Sequence, residues 1–362
     1  MNHCHVSIRP DVAALPNYVP GKRPQGKNPA KLSSNENPYL PPQAVLAAFA
    51  DTAQSVNRYP DMACTELRET LGQMHGVAPQ QILVGDGSSA TLLHALTTVA
   101  HPGSEVVFAW RSFESYPIAV PTVGAKPVAV PLTNKGDHDL DAMLAAVTDR
   151  TCAVIVCTPN NPTGNAITLQ ALREFLSHLP SSVMVLVDEA YIEFASAPGV
   201  ETALGLLGEF ANLVVMRTFS KAYGLAGLRV GYLVGHEELI AAITRVATPF
   251  GVSTTAQATA LAALQNRGYV EEAVAALCEQ RDATITTLRN LGLKVWDSQT
   301  NFFWIPAEDC PLPPAELAAR FLAQGVAVRA FPQGVRISVG LPQDNERLIH
   351  VFHDLLMGGS VR

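Results

Sequence analysis

Three observations predict an α/β protein, with a large domain built on a mostly parallel sheet flanked by helices and a smaller α+β domain. Short apolar runs such as Ala153-Val154-Ile155-Val156 recur along the first two thirds of the chain. Runs apolar at every position, not at alternate ones, mark strands covered on both faces. Stretches rich in Ala and Leu separate most of them, as parallel strands joined by helices require. After Gln257 the texture changes to a long Ala-rich helical stretch followed by two strand–helix passages. With 362 residues the chain is long enough for more than one domain and for a sizeable core.

The elements follow in order. Residues 10–40 carry Pro10, Pro16, Pro20, Pro24, Pro29 and Pro38 with little periodicity, so an extended arm, not a helix, is expected there. That arm, residues 1–40, is expected to join the smaller domain. In the large domain, 41–265, strands are expected at Ile82–Val84, Glu105–Ala109, Pro127–Val130, Cys152–Cys157, Val183–Val187 and Leu213–Arg217. Helices between them include Thr91–Val99 and Leu169–His178. The helical stretch from Thr255 to Leu291 is expected to break at Gly268, where propensity is lowest. The smaller domain, 266–362, ends in a strand at Val335–Val339 and a helix from Asp344.

Composition removes several classes of function. Lys plus Arg number 25 and Asp plus Glu 32, a formal net charge of −7, which argues against a protein that tracks nucleic-acid phosphates. No apolar run reaches the roughly 18 residues of a membrane span, and the opening residues lack the apolar core of a signal peptide. The six cysteines are scattered, with no C-x-x-C pair. Cys152 and Cys157, bracketing an apolar run, read as small core residues, and the set fits a reducing, cytoplasmic compartment. The adjacent His3-Cys4-His5 cannot easily converge on one ion and lacks a fourth ligand nearby, so no metal is expected.

The chemistry concentrates at strand ends. Thr218-Phe219-Ser220-Lys221-Ala222-Tyr223-Gly224 follows the strand Leu213–Arg217, and Leu228-Arg229-Val230-Gly231 follows that. Lysine forms Schiff bases because its pKa falls readily on burial, and arginine eight residues on can hold an anion. A surface Lys and Arg flanking a Gly-rich turn is the plainer alternative. Two further strands end in Val187-Asp188-Glu189-Ala190-Tyr191 and in Thr158-Pro159-Asn160-Asn161-Pro162-Thr163-Gly164. Polar groups at the carboxyl ends of parallel strands face one crevice, so Asn161, Asp188, Tyr191 and Lys221 are candidates for one ligand. Alternatively, Asn161 is a turn residue before proline and Asp188 a helix cap. Gly85-Asp86-Gly87-Ser88-Ser89-Ala90 opens a helix and offers its free N–H groups to a phosphate. It also fits the dinucleotide fingerprint G-x-G-x-x-A, but the acid that should end the second strand, Glu105, begins one.

The ordered set N-N-P-T-G, V-D-E-A-Y and S-K-A-Y-G-L-A-G-L-R-V-G resembles the fold-type I, pyridoxal-phosphate-dependent aminotransferases. More narrowly it resembles the histidinol-phosphate aminotransferase branch, which includes bacterial aromatic amino acid (phenylalanine) aminotransferases. The likeness runs from Tyr18-Val19-Pro20-Gly21-Lys22 through Arg58-Tyr59-Pro60-Asp61 to Val335-Arg336-Ile337-Ser338, nearly the whole chain. The resemblance implies that Lys221 holds pyridoxal 5'-phosphate as a Schiff base and shuttles the α-proton. It implies that Asp188 pairs with the pyridinium nitrogen, that Tyr191 and Asn161 bond the ring 3-oxygen, and that Phe113 stacks on the ring. For Phe113 a place in the core is the competing reading. Gly87, Ser88, Ser89, Thr218, Ser220 and Arg229 would bind the phosphate, joined by Tyr59 from the second subunit of a homodimer. Arg336 would clamp the substrate carboxylate, with Arg329 as a second cation and with Tyr18 and Asn35 closing over the substrate.

The reaction implied is transfer of an amino group from an amino acid to a 2-oxo acid such as 2-oxoglutarate. Trp110–Ile118 and Asn301–Ile305 look most like actinobacterial aromatic (phenylalanine) aminotransferases, and that resemblance implies aromatic donors (phenylalanine, tyrosine, tryptophan) ahead of histidinol phosphate, the alternative within the branch. A decarboxylase or lyase would keep Lys221 and Asp188 while cleaving another bond at Cα. A cofactor-binding regulator would need a DNA-binding module for which the chain has no basic face.

Overall fold

The computed structural model describes residues 6–357 apart from residue 23 and residues 25–28, so His3-Cys4-His5 lies outside the described residues. Seven strands form the central sheet: β1 (Ile82–Gly85), β2 (Glu105–Trp110), β3 (Lys126–Pro131), β4 (Thr151–Cys157), β5 (Met184–Asp188), β6 (Leu213–Thr218) and β7 (Gly231–Gly235). Their order is β1-β7-β6-β5-β4-β2-β3. Only β7 runs against its neighbours. The sheet is therefore mostly parallel, and it is mixed because of a strand the sequence reading did not separate from the glycine-rich segment before it.

Side-chain alternation sets the layers. Val106, Phe108, Ala153, Ile155, Met184 and Leu186 pack into one apolar layer, while Val107, Ala109, Val154, Val156, Val185 and Val187 pack into the other. Both faces are covered, which is why these strands are apolar at successive positions. The same alternation puts Asp188 on the face of Met184 and Leu186, the layer that contains Tyr116.

A second sheet is antiparallel: β8 (Phe302–Pro306) and β9 (Arg329–Phe331) flank β10 (Gly334–Ser338). In the chain between the two sheets run the helices Thr254–Gln265 and Gly268–Asn290, interrupted next to Gly268 as expected. Ser253 caps the first by accepting from the Ala256 N–H at 3.1 Å. The arm reaches back to this region, with Ala30 and Lys31 paired in parallel with Val326 and Ala327.

Strand ends shift by a residue or so from expectation, and three helices differ more. Pro10–Ala13 forms one turn of helix inside the arm, because proline at N1 presets φ and loses no needed N–H. The helix expected from Thr91 begins at Ser88, which brings its free N–H groups to Gly87. The last helix begins at Pro342, again with proline at its start. Among the described residues no helix is long and apolar enough to cross a membrane, and Cys64, Cys152, Cys157, Cys278 and Cys310 are free thiols.

Candidate functional site

The carboxyl ends of β4, β5 and β6 open into one cavity, closed from the other side by Ser33–Glu36 of the arm and by Arg336 of β10. Lys221 enters it from the turn after β6. Its Nζ makes one long contact, 3.4 Å to the Ser34 carbonyl. Burial lowers its pKa to about 8, helped by the charges of Arg336 and Arg229 and opposed by Glu36 and Asp188. A free amine near neutral pH is a usable nucleophile and proton carrier.

Asp188 ends β5 and is buried. The Tyr116 hydroxyl donates to its Oδ2 at 2.7 Å, and the Ala190 N–H donates to Oδ1 at 3.2 Å. Burial still pushes the carboxyl up to about 6, against those bonds and the Lys221 charge. A buried carboxylate is costly without a cation, so this one suits a positively charged partner in the cavity.

Tyr191 lies three residues beyond, edge-on to Phe302 with ring centroids 5.0 Å apart. Asn35 Nδ2 donates to its hydroxyl oxygen at 2.9 Å. That leaves the Tyr191 proton free to donate. Asn35 itself has φ 54°, and its Oδ1 accepts from the Ser338 hydroxyl at 2.8 Å. Its amide thus bonds protein at both ends and holds Tyr191, while Asn35 also lines the cavity. Asn161 Oδ1 likewise accepts from Arg336 Nη1 at 2.6 Å, leaving its amide nitrogen to face a ligand.

An anion cradle completes the floor. Gly87 has φ 97°, and a Cβ there would lie 2.5 Å from Arg229 Nη2. The positive φ favours glycine here, and the missing side chain leaves room for the guanidinium. Ser88 and Ser89 open the twelve-residue helix that follows, and Thr218, Ser220 and Arg229 line the same wall. Arg229 donates to the Ala226 carbonyl at 2.9 Å and to Ser220 Oγ at 3.4 Å. Helix N–H groups, hydroxyls and one guanidinium are a phosphate's donor set.

Arg336 is buried beside Asn161. Its Nη2 donates to the Ser33 carbonyl at 2.8 Å, while its buried Nε has no hydrogen-bond partner. A guanidinium with an N–H left without a protein partner fits an anion that binds beside it. Directly across the β9–β10 pair stands Arg329, whose Nη2 meets Glu114 Oε1 and Oε2 at 3.0 and 2.8 Å. Phe113 and Tyr18 line the same cavity, and Phe113 meets the edge of Tyr116 with centroids 5.7 Å apart.

Tyr59 stands apart from the site. It is 83% exposed, lies outside the cavity and packs on Phe250 with centroids 4.7 Å apart. Sequence reasoning did not single out Tyr116, Glu114 or Ser33, which bond Asp188, Arg329 and Arg336 here, while Cys157 is buried in the core as expected. The first two stand in the Trp110–Ile118 stretch, but nothing local in it signals bonds to Asp188 and Arg329.

The family Aminotransferase class I and II matches residues 27–352. An aromatic amino acid aminotransferase of Corynebacterium diphtheriae is 48% identical over 342 residues, 94% of this chain and 97% of its own. One from Streptomyces avermitilis is 43% identical, covering 97% and 98% of the two chains. Among solved structures, a Thermus thermophilus aspartate aminotransferase mutant superposes with TM-score 0.82 at 25% identity, covering 96% of this chain and 99% of that one. A Sinorhizobium meliloti histidinol-phosphate aminotransferase in complex with pyridoxal-5'-phosphate has TM-score 0.88 at 24% identity, covering 98% and 99%, and shares the fold. The chain belongs to the class I and II aminotransferases.

Proposed function

We propose that the protein transfers the amino group of phenylalanine, tyrosine or tryptophan to 2-oxoglutarate, with pyridoxal 5'-phosphate as cofactor. The observation that carries this reading is one cavity lined by Lys221, Asp188 and Arg336, with a phosphate cradle at Gly87–Ser89 and Arg229. The aromatic donors are those for which the most similar relatives reported above are named.

Bound there, pyridoxal 5'-phosphate supplies an electron sink for the pair left when the Cα–H bond breaks. Ser88, Ser89, Ser220, Thr218 and Arg229 would hold its phosphate, and Asp188 would keep its ring nitrogen protonated. Lys221 would hold it through Nζ and, once released by the incoming amino acid, carry the proton from Cα. Tyr191 and the Asn161 amide would donate to the ring oxygen, and Phe113 would cover one ring face. Arg336 orients each substrate by its α-carboxylate, so donor and acceptor present Cα at the same place.

A homodimer belongs to the same reading. Tyr59 and Phe250 are exposed and packed on each other, Val56 and Met62 nearby in sequence are exposed too, and a second copy would bring Tyr59 to the phosphate cradle. Light scattering at the monomer mass would remove that part. A cytoplasmic location, in keeping with the free thiols, is tested by cell fractionation. The substrate itself is tested by parallel kinetics with phenylalanine and histidinol phosphate, each against 2-oxoglutarate. The expected kcat/KM is at least about tenfold higher for phenylalanine, and the reverse order overturns the assignment.

A further inference from the structure

We infer that Glu114 is a specificity-determining residue: by pairing with Arg329 at the cavity mouth, it penalises substrates whose side chain ends in an anion and thereby favours an uncharged ring. The inference rests on the transaminase reading above.

The cavity has a floor and a mouth. Asp188 and Arg336 are buried at the floor, where the cofactor and the shared α-carboxylate are accommodated. Tyr18, Phe113, Glu114 and Arg329 line what remains for the side chain. The Glu114 side chain is 27% exposed and that of Arg329 12%, so their pair is partly dry.

Positive charge dominates this wall. Arg111, Arg329 and Arg336 place their guanidinium carbons 5.2, 5.5 and 5.8 Å from the centre of the Phe331 ring. Glu114 is the carboxylate bonded into the cluster, with both oxygens on one nitrogen of Arg329. Without it, Arg329 would stand free beside Arg336 and make an attractive seat for a phosphate or a second carboxylate.

With it, any anionic tail must take Arg329 from Glu114 and then sit next to the displaced carboxylate. That repulsion is larger for a phosphate, carrying nearly two charges, than for a carboxylate carrying one. A phenyl or indole ring displaces nothing and carries no charge for Glu114 to repel. Discrimination therefore comes from a charge set against the wrong ligand as well as from contacts to the right one. For 2-oxoglutarate the same pair raises KM without excluding the acceptor.

Holoenzyme kinetics test this with Glu114→Gln, which keeps the shape and removes the charge. The ratio of kcat/KM for histidinol phosphate to that for phenylalanine should rise about tenfold or more, and KM for 2-oxoglutarate should fall. Glu114→Asp should retain the native preference. In Glu114→Gln/Arg329→Gln the gain should vanish, because the released guanidinium is its source. The native discrimination should also weaken with added salt, as a partly exposed pair is screened. An unchanged ratio in Glu114→Gln with phenylalanine turnover intact overturns the inference alone, and so does a gain that survives loss of Arg329. Absence of phenylalanine turnover in the native enzyme overturns the reading beneath it.

Discussion

Tyr116 donates its phenolic proton to Asp188 Oδ2 across 2.7 Å, joining two residues 72 positions apart. Tyr116 opens the short helix after β2, and Asp188 closes β5 on the same face of the sheet. The tyrosine is fully buried, and burial together with the neighbouring carboxylate holds its pKa well above the ordinary value. It therefore stays a donor at every working pH. A donor of this kind stabilises the charged carboxylate in a site where burial alone would neutralise it. The charged form is the one that can face a protonated ring nitrogen.

Tyr116→Phe should therefore act on Asp188 without touching the substrate's anion clamp. Removing the hydroxyl leaves Oδ2 without that donor and moves the Asp188 pKa further above about 6. A hydrogen bond to a charged group is worth about 1.5–3 kcal/mol, so kcat should fall on the order of tenfold to a hundredfold at neutral pH. The loss should deepen as pH falls, since protonation of Asp188 removes the charge. KM for 2-oxoglutarate should hold, because Arg336 is untouched. Steady-state kinetics from pH 6 to 9 decide it, and a change confined to KM would contradict the assigned role.

Lys221 gives a prediction about the cofactor-free protein. Burial first, and then the Arg336 charge, lower its pKa from 10.5 to about 8. Only the neutral amine attacks an aldehyde, so the rate of cofactor uptake should rise about tenfold per pH unit below 8 and level off above it. The sign for stability follows from proton counting. Between 8 and 10.5 the unfolded chain binds more protons at this position than the folded one, so stability rises with pH through that window. Below 8 the folded protein bears the full cost of a buried ammonium. Cofactor-free Lys221→Met should be more stable than the parent there, by up to about 3 kcal/mol, with the difference shrinking above pH 8. Calorimetry at pH 7 and pH 10 measures both, and equal shifts at the two values would show that the amine is not held in a costly state.

Much of this was legible in the chain because the signals were local. Val154 and Ile155 announce a strand covered on both faces, and that strand's end locates Asn161 without any knowledge of the rest. Lys221 and Asp188 were found the same way, as polar groups at the ends of apolar runs. What escaped depends on long-range register. β7 hides behind the glycines that precede it, and its antiparallel course is set by pairing with β1 and β6. The helix Tyr116–Thr122 carries prolines at 117 and 121, which mask its periodicity. The partners of Tyr116 and Arg329 follow from where strands far apart in sequence end. The bonds of Asn35 to Tyr191 and Ser338 follow from a positive φ that the residue type permits but does not dictate.

Arg336 yields the sharpest test of how the two half-reactions share one site. Its Nη1 and Nη2 each spend a hydrogen bond on protein, on Asn161 and on the Ser33 carbonyl, while its buried Nε remains without a partner. The planar group is thus fixed in position by one edge and still has donors for an anion. Arg336→Lys keeps the positive charge but cannot hold Asn161 and Ser33 while presenting a fork to a carboxylate. Losing one charge-assisted bond should reduce kcat/KM about tenfold to a hundredfold. Donor and 2-oxo acid present the same carboxylate to the same group, so both half-reactions should lose comparably. Single-turnover rates measured separately for phenylalanine and for 2-oxoglutarate read this directly. Unchanged rates in both would remove Arg336 from the substrate site, and a loss in only one would show that the two substrates are held by different cations.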